Sequence, residues 1–242
     1  MGRYDVPGDA RRIFDTVVAG GAVIMPSDIG YGAVASSSDA LLRLFRAKRR
    51  APHKRHAMAG DYDLHREVHR LGRREHDMID AIVLDAGLPL AVVAPYDASH
   101  PVVTAIEPET LQASTVGDTL SILVNGGALQ DAVVRLAHRN GVPLLGSSAN
   151  LTGAGTKFRA EDIEQPVIDA VDLVVDHGLR KYHLYRRSST MIDFTTMEVV
   201  RMGSCYELIS DILSTRFGIT LPSDPGLEAL PSGHLREQNA RA

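Results

Sequence analysis

Cysteine is nearly absent. Cys205 stands alone in 242 residues, so no intrachain disulfide can form, and a reducing, cytoplasmic location is expected. No apolar run approaches the roughly 18–20 residues that span a bilayer, so no membrane partner is expected. The opening stretch MGRYDVPGDARR has no apolar core, so no secretory leader is expected either. The signatures GxGxxG, GxxxxGK(S/T) and GxSxG are all missing, which removes the commonest dinucleotide, P-loop and serine-hydrolase readings. HExxH is missing too, and no metal ligands are expected. Acids are absent from one particular place. Between Arg43 and His56 the chain carries Arg43, Arg46, Lys48, Arg49, Arg50, Lys54 and Arg55 with no Asp or Glu, although its net charge is −4. That basic run is a local device on an acidic body, and the average charge argues against a general nucleic-acid glue.

What is present is ordinary for one large α/β domain: 44% hydrophobic and 23% charged residues. Ile13, Val17 and Val18 share a face and predict a helix over 8–19, stopped by Gly20-Gly21. AVIMP (22–26) reads as a short buried strand, and SDIGYG (27–32) as a polar loop. DALLRLFRAKRR reads as a helix that ends near Ala51, because Pro52 disfavours helical geometry before it. Residues 64–85 look helical. Strands are expected over 88–95 and 118–125, a helix over 129–139, a strand then loop over 141–153, and a strand with a turn over 170–178. STMIDF (189–194) and MEVVRMG (197–203) predict a hairpin, and 205–218 a last helix. The late hairpin points to a mixed sheet in a single domain over 1–220. The Pro/Ser/Gly-rich stretch 221–242 reads as a loosely ordered tail.

Three segments could carry chemistry, and each has a plain alternative. MPSDIGYGAV (25–34) offers small residues for close ligand approach, with Asp28 and Tyr31 as polar handles, or it is an ordinary turn. GSSANLTG (146–153) offers hydroxyls, backbone N–H groups and an amide to an anion, or its side chains bond their own backbone. RAKRRAPHKRH (46–56) could grip phosphate or RNA, or form a solvated helix end. Its lack of interleaved acids favours the former. His65 and His69 are spaced i,i+4 with His76 further on, but a solvent-facing helix is the expected reading. Cys205 is expected to pack rather than react.

Together these segments resemble the YrdC/Sua5/YciO family. The chain has P-S-D-I-G-Y-G-A at 26–33, K-R-R-A-P-H-K at 48–54, S-S-A-N-L-T-G at 147–153, S-T-M-I-D at 189–193 and V-R-M-G at 200–203. The resemblance covers roughly residues 8–215. It implies a twisted mixed sheet with flanking helices, enclosing a positively lined cavity. There ATP, L-threonine and bicarbonate, with Mg²⁺, would give threonylcarbamoyl-AMP, which a partner passes to adenosine 37 of certain tRNAs. By the same resemblance Lys48 and Arg50 are catalytic. Lys54, Ser148, Asn150, Ser189 and Arg201 hold the nucleotide, and Ser27 and Tyr31 line the amino-acid end.

The departures from the family pattern define the alternative. Ser27 and Ile29 replace two usual threonines, no W-P-G-P-x-T segment is present, and LVNGG (123–127) stands where R-x-P is usual. An arginine expected on the nucleotide is therefore missing. These losses leave open a member that binds nucleotide or double-stranded RNA without making the adenylate, or that uses another amine. The oligomeric state is not legible.

Overall fold

A computed structural model describes residues 4–49 and 56–235. The chain begins with α1 (Val6–Val18), β1 (Ala22–Ser27), β2 (Gly30–Ala35), α2 (Ser38–Ala47), β3 (Ala57–Ala59), α3 (Tyr62–Val68) and α4 (Arg73–Asp80). A π-helical turn over Ala81–Asp85 follows, then β4 (Leu90–Pro95), the short helices α5 (Pro101–Thr104) and α6 (Pro108–Gln112), β5 (Thr115–Val116), β6 (Thr119–Val124) and α7 (Ala128–Arg139). The rest comprises β7 (Leu145–Ser148), α8 (Gln165–Ile168), β8 (Leu173–Val174), β9 (Met191–Asp193), β10 (Glu198–Arg201) and α9 (Tyr206–Phe217).

Helix ends follow local chemistry. Asp5 caps α1 by accepting from the Gly8 N–H at 3.0 Å, with Pro7 in the first turn, where its missing N–H costs nothing. Ser37 caps α2 and Asp61 caps α3 in the same way. Gly218, in the left-handed region, ends α9.

Among the described residues the strands form one ten-stranded sheet in the order β10-β9-β4-β6-β3-β7-β2-β1-β8, with β5 paired to β6. Pairs β1–β8, β3–β6 and β4–β9 are parallel and the others antiparallel, so the sheet is mixed as expected. All six residues of β1 are buried, whereas β6 alternates between buried and half-buried positions. Helices α1 and α7 pack on each other and on β1, and α2 packs on β2. Ile13, Ile24, Leu41, Met58, Ile82, Leu90 and Ile122 are among the fully buried core side chains. Removing such a side chain to alanine costs about 2–5 kcal/mol.

Four expectations change. Only Asp28 and Ile29 of the polar loop 27–32 are turn: β1 and β2 form a hairpin around them, in a register running from Ala22↔Ala35 to Ser27↔Gly30. Glycines at 30 and 32 had hidden the alternation. The helix over 64–85 is broken after Val68, because His69 is extended and the Arg70 N–H goes to the Pro95 carbonyl at 2.7 Å. His65 and His69 do not face solvent; they are 0% and 2% exposed. Finally, residues 221–235 are packed rather than loose. Arg187, itself buried, donates to Asp224 at 2.5 Å and to the carbonyls of Gly226 and Leu230 at 2.9 and 2.6 Å. The Met202 N–H reaches the Gly233 carbonyl, and the Leu235 N–H reaches the Val200 carbonyl. Leu221 and Leu230 are buried, which composition alone did not reveal.

Candidate functional site

The β1–β2 hairpin brings Ser27 and Tyr31 together. Ser27 Oγ donates to the Gly30 carbonyl at 2.8 Å, so its hydroxyl closes the turn. Tyr31 is 1% exposed, and its hydroxyl lies against the Asp176 carboxylate and 2.9 Å from the Gly178 carbonyl. It also accepts from the His177 N–H at 3.2 Å. Burial, then the Asp176 hydrogen bond and charge, push the Tyr31 phenol up, so it stays neutral. The same hydrogen bond holds the Asp176 carboxyl below its usual range. Arg180 completes the corner: it donates to the Ser27 and His177 carbonyls, each at 2.8 Å, and lies 5.9 Å from the Tyr31 ring centre. Sequence reasoning did not single out Asp176 or Arg180. The signal was the Asp-His-Gly turn followed by two cations.

Lys48 organises the second loop. It caps the C-terminus of α2 and is 1% exposed. Its ammonium donates to Ser147 Oγ at 2.6 Å and to the Ser148 carbonyl, while its own carbonyl accepts from the Thr152 N–H at 3.0 Å. One residue therefore clasps both ends of the loop. β2–β7 pairing sets Ser148 opposite Gly32, and the Ala149 N–H donates to the Tyr31 carbonyl at 2.8 Å. Asn150 is buried; its Nδ2 bonds the Leu151 carbonyl at 2.5 Å, and its Oδ1 is buried without a partner among the described residues.

Ser189 and Arg201 meet on the other side. Arg201 Nε donates to the Ser189 carbonyl and its Nη2 to Ser189 Oγ, both at 2.7 Å. Gly203 makes this approach possible, since a Cβ there would lie 2.2 Å from the Ser189 carbonyl carbon. The structure thus gathers Ser27, Tyr31, Lys48, Ser148 and Asn150 into one neighbourhood and Ser189 with Arg201 into a second. Residues 176–187 run between them. Asp28, at the hairpin turn, accepts from the Tyr182 N–H through its carbonyl, and its carboxylate lies 3.9 Å from Arg180 and 3.7 Å from Lys181. Further along, the Ser188 carbonyl accepts from the Ser204 N–H. Cys205 is fully buried and burial pushes its thiol up, which suits packing. Arg50 and Lys54 lie outside the described residues, as does Arg55, while Arg43, Arg46, Lys48 and Arg49 of the basic run lie within them.

A cleft of about 470 Å³ opens beside the Asn150 loop. Gly153, Thr156 and Phe158 form one wall, Arg186 another, and Leu227 and Glu228 of the docked tail a third. Of the residues expected to hold ATP or threonine, none of the described ones lines it. LVNGG, the stretch replacing R-x-P, packs elsewhere: Gly127, at φ +100°, lies so close to Asp28 that a Cβ would sit 2.5 Å from its Oδ1.

Fold and loops define a mixed α/β protein that presents Ser, Asn, Lys and Arg side chains on loops at the strand ends. The chain belongs to the Sua5/YciO/YrdC family, whose profile, described as "Telomere recombination", matches residues 15–203. Among solved structures, Pyrococcus abyssi Sua5 complexed with L-threonine is 18% identical with a TM-score of 0.72, over 91% of this chain and 61% of that one. A hypothetical protein, smu.1377c from Streptococcus mutans, is 21% identical with a TM-score of 0.69, over 87% of this chain and 93% of that one. Full-length HypF in a phosphate- and nucleotide-bound form is 13% identical with a TM-score of 0.58, over 84% of this chain and 30% of that one. At these identities the likeness is one of fold. This chain spans about three-fifths of the P. abyssi Sua5 chain. No curated protein matches it. Among the described residues no helix is long and apolar enough to cross a membrane.

Proposed function

We propose that the chain is a threonylcarbamoyl-AMP synthase-like nucleotidyltransferase using ATP, L-threonine and bicarbonate and feeding tRNA modification. The observation that carries this reading is the Lys48 clasp. It ties the S-S-A-N-L-T-G loop to α2, and the Ala149–Tyr31 bond ties that loop to the first motif, so three of the family's motifs become one neighbourhood. Family membership adds to it, as do fold neighbours that hold L-threonine or a nucleotide.

In this reading threonine and bicarbonate condense to a carbamate with loss of water. A carbamate oxygen attacks the α-phosphate and pyrophosphate leaves. Charge builds on the phosphoryl oxygens, and fixed cations and backbone N–H groups stabilise it without reorganising. Lys48 positions Ser148 and Asn150 for the nucleotide, and Arg201, held by Ser189, adds a planar fork suited to phosphate. Tyr31, held neutral by Asp176, orients the amino acid. Mg²⁺ requires oxygen ligands. Among the described residues, the cluster of three close metal-ligating side chains, Glu67, His100 and His138, is rich in nitrogen and does not suit it. The ion would therefore arrive on the triphosphate of ATP.

A second reading rests on LVNGG (123–127), which lacks the arginine of the family's R-x-P pattern and sets Gly127 against the Asp28 carboxylate. It gives a member that binds nucleotide or double-stranded RNA, or takes another amine. Incubation with ATP, threonine, bicarbonate and Mg²⁺, with assay of pyrophosphate and adenylate, separates the two. Formation of both products, reduced at least tenfold in Lys48→Ala, supports the synthase. Absence of product alongside saturable, salt-dependent RNA binding rejects it.

A further inference from the structure

No motif in the sequence marks metal ligands, yet three side chains from distant parts of the chain converge outside the loops just described. Glu67 lies in the last turn of α3, His100 caps α5, and His138 lies in the last turn of α7. Both imidazoles address one oxygen: His100 Nε2 is 3.2 Å and His138 Nε2 3.0 Å from Glu67 Oε2. All three donor atoms lie within 4.8 Å of one another. The histidine side chains are 11% and 18% exposed, so packing holds their rings, while the carboxylate, at 54%, is open to solvent.

We propose that Glu67, His100 and His138 form a binding site for a borderline transition-metal ion, Zn²⁺ being the best fit, with its fourth position open to water. Two imidazoles and a carboxylate are the donor set that Zn²⁺ takes in open sites. Ligands about 2.0–2.1 Å from a tetrahedral ion stand roughly 3.3–3.4 Å apart. The two N–O separations already lie close to that spacing, and the two imidazole nitrogens, within 4.8 Å of each other, complete the triangle around the ion. One contact opposes binding. The Val102 N–H donates to His100 Nδ1 at 3.3 Å, which puts the ring proton on Nε2. Metal at Nε2 moves that proton to Nδ1 and gives up a bond at the long end of the hydrogen-bonding range.

The test uses the full chain, stripped with chelator and titrated with Zn²⁺ by calorimetry, with thermal melting alongside. One equivalent should bind and raise the melting temperature, since an ion bound to the folded state stabilises it. Glu67→Gln and His138→Gln, both at partly exposed positions, should each weaken binding at least tenfold while leaving the circular dichroism spectrum unchanged. The two variants separate this site from the buried His65 and His69 with the half-buried His76, and from Cys205. Absence of saturable binding, or equal affinity in wild type and both variants, overturns the proposal.

Discussion

Two buried histidines make this protein acid-sensitive over a window that can be worked out from the structure. His65 Nδ1 and His69 Nδ1 are 2.8 Å apart, and His69 Nε2 is 3.1 Å from the Leu120 carbonyl. A carbonyl only accepts, so His69 carries its proton on Nε2 and accepts on Nδ1. His65 must then donate from Nδ1, which leaves its Nε2 as a bare lone pair, buried and without a partner among the described residues. Both rings are therefore neutral, and a proton on either meets a dry environment and a second histidine. Burial, first, lowers His69 to about 4; burial, then the charges of His69 and His76, lower His65 further. A base whose folded pKa is depressed gives stability that is present above its unfolded value of 6.5 and lost as pH falls below it. In the unfolded chain both rings take up protons between pH 6 and 5, and in the folded chain they do not. The linkage relation gives a loss of about 2.4 kcal/mol for the pair over that single unit. Asp131 works the other way. Burial, then the charges of Asp61 and Asp28, push it up to about 6, so its folded form gains protons over the same range. Solvent screening limits that offset to about 0.5 kcal/mol. Urea denaturation at pH 7, 6, 5.5 and 5 reads the net slope, and a His65→Leu/His69→Leu variant isolates the pair. The variant should lose stability between pH 6 and 5 by about 2 kcal/mol less than the wild type. Should the double variant fail to fold, each single variant should remove half of the difference. Equal slopes in wild type and variants would refute the assignment of neutral, buried rings.

Asp131→Asn should stabilise the protein at pH 7.5 by about 1 kcal/mol, with no effect below pH 4, because a raised carboxylate loses its contribution as pH rises through about 6; urea midpoints at the two pH values read this. Gly203→Ala forces a Cβ to 2.2 Å from Ser189 backbone and should cost at least about 2 kcal/mol in chemical denaturation. It should also lower adenylate formation, because the Ser189–Arg201 clasp sits on that backbone. Arg187→Met removes the cation that holds Asp224 and three backbone carbonyls, and should cost about 3–5 kcal/mol. Limited proteolysis should then cut within 221–235, where the wild type resists.

Much of the site was legible as motifs. The spacing of Lys48 to the basic run, the S-S-A-N-L-T-G loop and the V-R-M-G ending could all be read because each depends on residue types at fixed local offsets. Lys48 was placed on the phosphate by resemblance; its burial and its clasp on Ser147, Ser148 and Thr152 depend on α2 ending beside β7, ninety-odd residues later in the chain. Ser27 reads from the sequence as a ligand contact; that its hydroxyl also closes the hairpin turn depends on the β1–β2 pairing. Asp176 and Arg180 were not singled out because their partner, Tyr31, is 145 and more residues away.

By itself the sequence determined the local periods and stops: an amphipathic helix ending at paired glycines, a buried strand, a late hairpin, a lone unpaired cysteine and a family's order of motifs. These need only nearest-neighbour sterics and hydrophobic spacing, which act over a few residues. Tertiary structure decided whatever required two distant segments to meet. It turned half of a polar loop into β2 by pairing it with β7, buried His65 and His69 that seemed destined for water, and docked a polar tail through one buried arginine. It also brought Glu67, His100 and His138 onto one point. Contacts of that kind form because the sheet excludes water from groups that composition scores as polar, and each must then find a partner that only the fold supplies.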